Sequence, residues 1–153
     1  MNILFVCHGN ICRSPLAEGL FARVAREEGL DIAVDSAGTA GYHQGDLPDQ
    51  RAIACARRHG LELSHRSRQV ADSDFRSFDL LIAMDNENVA DLKRRAPSGT
   101  AGKIHLLRDW DPAGPGEVPD PYYGDASDFE HVWHLCERSF PRLIDSLRLR
   151  MKA

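Results

Sequence analysis

The most restrictive feature of this chain lies at its start, where an apolar run ends at a cysteine and a short polar loop leads to an arginine. The run Ile3 to Val6 predicts a central strand buried on both faces of a parallel sheet. Ser14 suits a helix N-cap and Pro15 the first helical position, which predicts a helix directly after the loop. Backbone N–H groups of residues 8 to 13 then converge on one point. The segment therefore predicts a cradle for a dianion that needs no metal, with Cys7 at its base.

A second cysteine with an arginine six residues later, Cys136 with Arg142, shows that this spacing alone is weak evidence. The second pair lies in an amphipathic stretch with no preceding strand, and Leu143 stands in place of a serine. We interpret it as coincidence. In the first pair, Gly9 and Asn10 tolerate the left-handed backbone that a tight anion-binding turn requires. The context of the first pair carries the inference.

Length, charge and cysteine usage narrow the class of protein. The 153 residues and 42% hydrophobic content fit one domain, which we expect to span residues 1–153. The net charge of -4 argues against nucleic-acid binding. No signal-peptide pattern or apolar run of membrane-spanning length is visible, so we expect a cytoplasmic protein without membrane association. Cys7 and Cys12 in one loop do not resemble a secreted disulfide framework, which also favours a reducing compartment.

Strand and helix patterns alternate along the rest of the chain. After a helix that ends near Gly29, they are a strand at 32–36, a helix from Asp49 to Gly60, a strand at 78–84, a helix at 86–95, a strand at 104–107 and a helix at 128–150. This alternation predicts an α/β fold with right-handed crossovers and a parallel sheet. Pro141 is expected to kink the last helix or divide it in two.

A long loop at 108–127 has no periodicity and is rich in proline and glycine, as is typical of functional or disordered loops. Near its end lie Asp120, Pro121 and the adjacent Tyr122 and Tyr123. The loop also contains a second aspartate followed by proline, at Asp111. The composition of the two Asp-Pro pairs does not show which aspartate belongs to a functional site. We interpret Asp111 as part of a turn, and Asp120 beside the two tyrosines as part of a presented site.

These motifs resemble the low-molecular-weight protein tyrosine phosphatases across nearly the whole chain. The resemblance rests on residues 6–15, Asp35 with Ser36, residues 64–69, Met84 with Asp85, and residues 120–124. It implies a single-domain α/β fold with a four-stranded parallel sheet flanked by helices on both faces. It also implies hydrolysis of phosphomonoesters through a cysteinyl-phosphate intermediate, with no metal and no cofactor. The chain departs from the family pattern at His8, where many members have leucine, at Tyr42, where some have tryptophan, and at Pro141.

Three residues are candidates for the chemistry. Cys7 is the candidate nucleophile, because a helix N-terminus, an arginine and several N–H donors can lower a thiol pKa by about three units, which is about 4 kcal/mol in favour of the thiolate. The planar fork of Arg13 suits two phosphoryl oxygens at once. Asp120 resembles the family's general acid, which protonates the leaving group and then activates water. A buried structural Cys7 is the weaker alternative, because it would leave the adjacent amides and Arg13 without a role.

Supporting roles follow from chemistry and from the resemblance. Ser14 can donate its hydroxyl to the Cys7 sulfur as well as cap the helix. The resemblance implies that Asn10 braces the loop, with His65 as its partner. It also places Asp85 near the site, although a cap for the following helix is an equally good interpretation.

The expected substrate follows from the tyrosines. Tyr42, Tyr122 and Tyr123 could line a narrow cleft that selects a long aryl phosphate, although Tyr42 could equally be a surface residue that contacts no ligand. Tyrosine-phosphorylated proteins are therefore the expected partners, with a cognate tyrosine kinase as a further candidate. Inorganic phosphate or its oxyanion analogues should bind the loop, and we expect a monomer. The remaining residues expected at the substrate are His8, Gly9, Asn10, Ile11, Cys12 and Ser14.

The four cysteines divide into two pairs. Cys12 is close enough to Cys7 in a curled loop to form a disulfide after peroxide oxidises Cys7, which would make the site redox-sensitive. Cys55 and Cys136 lie on apolar helix faces and are expected in the core.

Four rival functions use the same residues. An arsenate reductase needs a downstream cysteine relay, but Met84, Asp85 and Asn86 occupy its expected place. The phosphoarginine phosphatases typically have threonine where Ile11 stands. A phosphopeptide-binding module would need neither a thiolate nor an acid. A metal site on Cys7 and Cys12 with a histidine lacks a second ligand pair at suitable spacing.

Overall fold

The computed structural model describes residues 1–152 and confirms an α/β fold of alternating strands and helices. Two single-turn 3-10 helices, Ala101–Lys103 and Leu107–Trp110, flank the last strand. Among residues 1–152, no helix combines the length and the apolar character needed to cross a membrane. The strands are β1 (Asn2–Cys7), β2 (Ala33–Gly38), β3 (Leu80–Ala83) and β4 (Ile104–Leu106), and the helices are α1 (Arg13–Glu27), α2 (Gln50–Arg58), α3 (Asp74–Ser77), α4 (Asn86–Arg95) and α5 (Ala126–Lys152).

The four strands form one sheet in the order β2-β1-β3-β4, and every pair is parallel. β1 is therefore central, which explains why Ile3 to Val6 are fully buried. Its last residue, Cys7, pairs with Gly38 at the end of β2. A Cβ atom at Gly38 would lie 2.7 Å from the His8 carbonyl oxygen, so only glycine fits where β2 meets the loop after β1. The carboxyl edge of the sheet thus presents Cys7.

Helices cover both faces of the sheet, as predicted. Alternate residues of β1 point to opposite faces, since side chains alternate along a strand. Ile3 and Phe5 pack in the larger core with α1, α2 and α5. Leu4 and Val6 pack in the smaller core with Phe75 of α3 and Leu92 of α4. Because β1 is buried on both faces, its sequence is a continuous apolar run rather than an alternating pattern.

The prediction of a helix cap at Ser14 was wrong, and of the two outcomes predicted for Pro141 the division of the helix does not occur. α1 begins at Arg13, and Cys12 is its N-cap residue. Ser14 therefore lies inside the helix and makes no capping hydrogen bond, and Pro15 is the third helical residue. The last helix, α5, is not divided by Pro141. Proline removes one helical hydrogen bond, to the carbonyl of Glu137. Because Glu137 and Pro141 lie on the exposed face of α5, water can solvate that carbonyl.

Candidate active site

The loop between β1 and α1, residues 8–12, turns its carbonyl groups away from its centre. Within residues 1–152, no backbone N–H group of this loop donates to a protein acceptor. Free N–H groups in a tight loop at a helix N-terminus form an anion-binding concavity. The carbonyls here accept hydrogen bonds from outside the loop: Cys7 O from Thr39 N (3.0 Å), His8 O from Ala40 N (2.9 Å), Gly9 O from Ser67 Oγ (2.9 Å) and Ile11 O from Asp49 N (2.8 Å).

Cys7 lies at the base of this loop with only 2% of its surface exposed. Its Sγ is 3.0 Å from Ser14 Oγ. Ser14 Oγ also accepts a hydrogen bond from Asn10 Nδ2 at 2.7 Å, which leaves the Ser14 hydroxyl hydrogen free to point at the sulfur. Ser14 is therefore placed to donate to Cys7, and it does not cap the helix.

Asn10 holds the loop in its curled shape. Its φ of 57° is in the left-handed region, as predicted. Four hydrogen bonds fix its side chain: Nδ2 donates to Ser14 Oγ and, at 3.0 Å, to Ser36 Oγ, while Oδ1 accepts from His65 Nε2 at 2.9 Å and from Arg68 N at 3.1 Å. The structure thus brings Asn10 and His65 together, as the resemblance implies.

Gly9 was expected to share the left-handed conformation, and it does not. Its hydrogen instead leaves room for a neighbouring ring, because a Cβ atom there would lie 3.1 Å from His43 Cδ2.

Glu18, a partly buried residue of α1, contacts His65 on the side away from Asn10. His65 Nδ1 lies 3.3 Å from Glu18 Oε1 and 3.4 Å from Asp35 Oδ1. Burial raises the pKa of Glu18 to about 7 and lowers the pKa of His65. Ser36 Oγ donates to Glu18 Oε1 at 2.6 Å. Glu18 was missed by the sequence analysis, because nothing in an amphipathic helix marks one glutamate as buried.

Arg13 lies beside Cys7 and is 2% exposed. Its Nη1 donates to Asp85 Oδ2 at 2.6 Å and to the Val118 carbonyl at 3.0 Å, which fixes the guanidinium plane. Burial alone would lower the pKa of Arg13, but its neighbours Cys7 and Asp85 raise it above its ordinary value. Asp85 also caps α4 by accepting from Asn88 N at 2.8 Å. Both interpretations of Asp85 therefore hold at once.

A cavity of about 340 Å³ opens above Cys7. The rings of Tyr122 and Tyr123 meet edge to face at 5.0 Å on one side of it, and the rings of His8 and Tyr42 lie 5.8 Å apart. Tyr42 and Tyr123 are 80% and 95% exposed, so they form the rim rather than the floor. The cavity is lined by Cys7, His8, Gly9, Ile11, Cys12, Arg13, Tyr42, His43, Asp120, Tyr122 and Tyr123.

Asp120 reaches the cavity from the long loop before α5. Its side chain is 50% exposed, and its Oδ2 lies 3.8 Å from Arg13 Nη2. Arg51 of α2 holds the following turn by donating to the carbonyls of Tyr122 and Gly124, both at 2.8 Å. Arg51 is itself fixed by Asp49, the N-cap residue of α2.

The second aspartate of the loop, Asp111, lies away from the cavity. Its carboxylate accepts from Arg138 Nε and Nη2, both at 2.7 Å, and from Arg108 Nε at 2.8 Å. The Arg138 guanidinium, with the Ala113 amide and Arg108, holds the pKa of Asp111 well below its usual range. Asp111 belongs to a turn, as its sequence context indicated.

Comparisons with known proteins agree with this geometry. The sequence model described as low molecular weight phosphotyrosine protein phosphatase matches residues 2–153. The chain belongs to this phosphatase family. A human low molecular weight phosphotyrosine protein phosphatase is 43% identical over 90% of this chain and 89% of its own. A crystal structure of a protein tyrosine phosphatase from Entamoeba histolytica, with Hepes in its active site, superposes with a TM-score of 0.95 at 39% identity, covering 99% of both chains.

Family membership and fold are therefore confirmed. One further relative carries a different name: the Drosophila arginine phosphatase has a TM-score of 0.89 at 32% identity, covering 96% of this chain and 98% of its own. The same fold thus carries two named phosphatase types.

The other sequence interpretations of the cysteines also agree with the structure of this phosphatase family member. Cys55 and Cys136 are fully buried in the core. Cys136 and Arg142 both lie within α5, so their spacing is a coincidence. Cys12 lines the cavity, and burial, followed by the neighbouring Cys7, raises the pKa of its thiol.

Proposed function

We propose that this chain hydrolyses phosphotyrosine in proteins through a cysteinyl-phosphate intermediate. In the first step the Cys7 thiolate attacks phosphorus, the ester P–O bond breaks, and Asp120 gives its proton to the departing phenolate. In the second step Asp120 takes a proton from water, the water oxygen bonds to phosphorus, and the S–P bond breaks. Ser14 then donates a hydrogen bond to the returning thiolate from 3.0 Å.

The observation that carries this proposal is the position of Cys7 beneath a ring of free backbone N–H groups. The carbonyls of Cys7 and of three loop residues, His8, Gly9 and Ile11, accept hydrogen bonds from outside the loop, so the free N–H groups remain for a bound group. Donors fixed in advance stabilise developing negative charge without reorganisation. A phosphoryl group above Cys7 would meet these donors on its equatorial oxygens.

Arg13 is proposed to bind two of those oxygens. Asp85 and the Val118 carbonyl both hold Nη1, which leaves Nη2 directed toward the cavity and Asp120. An arginine with one nitrogen anchored loses little side-chain entropy when the substrate binds.

Phosphotyrosine is the proposed substrate because the reacting sulfur lies deep and the rim is aromatic. Tyr122 and Tyr123 on one side, with Tyr42 and His8 on the other, suit a flat aryl ring between the protein surface and the buried Cys7. A phosphoserine is too short to span this cleft and would leave the rim contacts unmade. Tyrosine-phosphorylated proteins are therefore the proposed partners of a cytoplasmic monomer, and a tyrosine kinase acting on the same proteins is the proposed counterpart.

Hydrolysis of phosphoarginine is the second candidate function, since a fold neighbour is named an arginine phosphatase. The apolar Ile11 lines the cavity here, which favours an aryl group over a guanidinium. Arsenate reduction is disfavoured because Cys55 and Cys136, the two cysteines outside the loop, are fully buried in the core.

The proposed function is tested with para-nitrophenyl phosphate, a phosphotyrosine peptide and phosphoarginine, all in EDTA. We expect hydrolysis of the first two, no turnover after Cys7→Ser, and full activity in the matched control Cys136→Ser. A higher kcat/KM for phosphoarginine than for the peptide would select the second candidate. Activity that is lost in EDTA would contradict a reaction without metal.

We also propose that Cys7 and Cys12 form a reversible disulfide. Peroxide oxidises the Cys7 thiolate to a sulfenic acid, the Cys12 thiol attacks that sulfur, and water leaves. Both cysteines line one cavity and are free thiols in the reduced chain. Dithiothreitol should restore activity after peroxide far better in the wild type than in Cys12→Ser. Equal recovery would contradict the disulfide.

A further inference from the structure

Outside the catalytic cleft, three side chains of metal-ligand type, Cys55, His59 and Glu130, meet where α2 packs against α5, and His134 lies beside them. Cys55 and His59 are four residues apart at the end of α2, and Glu130 and His134 are four residues apart on α5. Residues at this spacing share one face of a helix. Two such pairs on facing helices can surround one point.

The distances bring these groups together. Ligand atoms of Cys55, His59 and Glu130 all lie within 4.8 Å of one another. His59 Nε2 is 2.8 Å from Glu130 Oε2, and His134 Nε2 is 3.9 Å from the same oxygen. The rings of His59 and His134 stand at 87° to each other, so they approach the carboxylate from two directions.

Neighbouring groups fix two of these ligands in place. The His59 ring stacks on Trp133, with 4.3 Å between centroids and 10° between planes. Arg58 Nε donates to Glu130 Oε1 at 2.8 Å, which leaves Oε2 directed at the histidines. Hydrogen bonds of this kind orient ligands in metal sites, where they matter nearly as much as the ligands themselves.

We propose that this cluster binds one divalent metal ion of the zinc type through Cys55 Sγ, His59 Nε2 and Glu130 Oε2, with the exposed His134 side chain turning in to offer Nε2 as the fourth ligand. One thiolate, two imidazoles and one carboxylate form a tetrahedral donor set that suits zinc and cobalt and is unsuited to magnesium or calcium. On binding, the Cys55 thiol releases its proton to solvent, and the His59 ring loses its Nε2 hydrogen to solvent and gains one at Nδ1, so that Nε2 offers an electron pair. The hydrogen bond between His59 and Glu130 is replaced by two metal bonds, with an N to O separation of about 3.4 Å.

The ion would cross-link two helices that flank the loop carrying Asp120. Arg51, which holds that loop, lies on α2, and α5 begins directly after it. The cluster shares no residue with the cavity above Cys7. The metal therefore stabilises the fold and takes no part in the proposed hydrolysis, which we expect to proceed in EDTA.

The test is a titration of metal-free, full-length protein with Co²⁺ and with Zn²⁺. Tetrahedral Co²⁺ bound to a thiolate gives visible absorption bands and a sulfur-to-metal charge-transfer band. We expect these bands in the wild type and in Cys7→Ser, which lacks the catalytic sulfur, and we expect Zn²⁺ to raise Tm in both. Loss of the bands in Cys7→Ser, or no binding below about 100 µM metal, would overturn the proposal.

Two matched pairs of variants assign the ligands. Cys55→Ser should lose the charge-transfer band, while Cys136→Ser, another buried cysteine, should keep it. His134→Ala should bind Zn²⁺ about tenfold more weakly than the wild type, while His131→Ala, an exposed histidine on the same helix, should bind it unchanged. Because His134 is exposed, its variant should fold even if Cys55→Ser does not. Equal Zn²⁺ affinity in the two histidine variants would overturn the proposal.

Discussion

The long loop before α5 contains two aspartates followed by proline, and the two differ in burial and in ion pairing. Asp111 is buried and its carboxylate is saturated by Arg138 and Arg108. Asp120 is half exposed at the cavity, where its nearest cation, Arg13, is 3.8 Å away. A carboxylate locked in strong ion pairs cannot exchange protons near neutral pH, whereas one beside a cavity can reach substrate and water. Partners from elsewhere in the chain, and not the local sequence, decide which aspartate can do chemistry.

The largest expected difference between the two aspartates is in catalysis. Asp120→Asn should lower kcat/KM for a phosphotyrosine peptide by about 10²- to 10⁴-fold, because no group then protonates the phenolate. The loss in kcat/KM should be much smaller for an ester whose leaving group is acidic and needs no proton. The measurement is kcat/KM for both esters, because this constant reports the first step, whereas kcat also includes the attack of water that Asp120 assists for both. Equal slowing of both would contradict Asp120 as the acid.

Asp111→Asn should act on stability instead. The change removes a buried carboxylate from two arginines and should lower the free energy of unfolding by about 2 kcal/mol, as measured in urea. The kcat of the folded fraction should stay at the wild-type value. A fall in kcat comparable to that of Asp120→Asn would break the distinction between the two residues.

Arg51→Met tests how the loop that carries Asp120 is held. Methionine keeps the apolar contact with Phe129, over whose ring the guanidinium lies at 4.8 Å, and loses the bonds to the two carbonyls. A less ordered Asp120 should lower kcat for the peptide about tenfold, because the acid is positioned less often. Arg57→Met is the matched control, since Arg57 lies on the same helix and pairs only with the exposed Glu62. Unchanged kcat in Arg51→Met would show that the Asp120 loop keeps its position without the hydrogen bonds from Arg51.

The smallest expected effect is in the acid range of the stability curve. Because the folded pKa of Asp111 is depressed, its contribution is complete above the unfolded pKa of about 4 and is lost as pH falls toward the folded value. Wild-type stability should therefore fall more steeply than that of Asp111→Asn below about pH 4. Urea midpoints between pH 2 and about pH 5 give the comparison. Parallel curves would mean that the ion pairs of Asp111 carry no net stability.

Features that depend on neighbouring residues could be predicted from the sequence, and features that depend on distant contacts could not. The Cys7 loop, the central strand and the start of a helix at Asp49 follow from short patterns, and all appear in the structure. Arg51 was missed because its carbonyl partners on the Asp120 loop lie more than 70 residues away. His43 was missed because nothing in its exposed loop indicates that the loop folds back over Gly9.

The error at Ser14 has a physical cause as well. Serine before an apolar helical pattern is most often a cap, but here Asn10 and Cys7 engage its oxygen first. The loop brings Asn10 and Cys7 to the Ser14 hydroxyl, and helix-capping propensities do not show that these groups compete with the helix for it. The same loop therefore supplied both the best prediction of the chain and one of its errors.

Because the carbonyls of the Cys7 loop face outward, its inner side also affects the release of the phosphate product. In the proposed reaction, free phosphate leaving Cys7 would meet the same backbone donors and the same Arg13 as the ester, since none of them would contact the part of the substrate that has departed. We therefore expect the product to inhibit its own formation competitively. Turnover in a cell would slow as ambient phosphate rises, and an assay run in phosphate buffer would underestimate the enzyme.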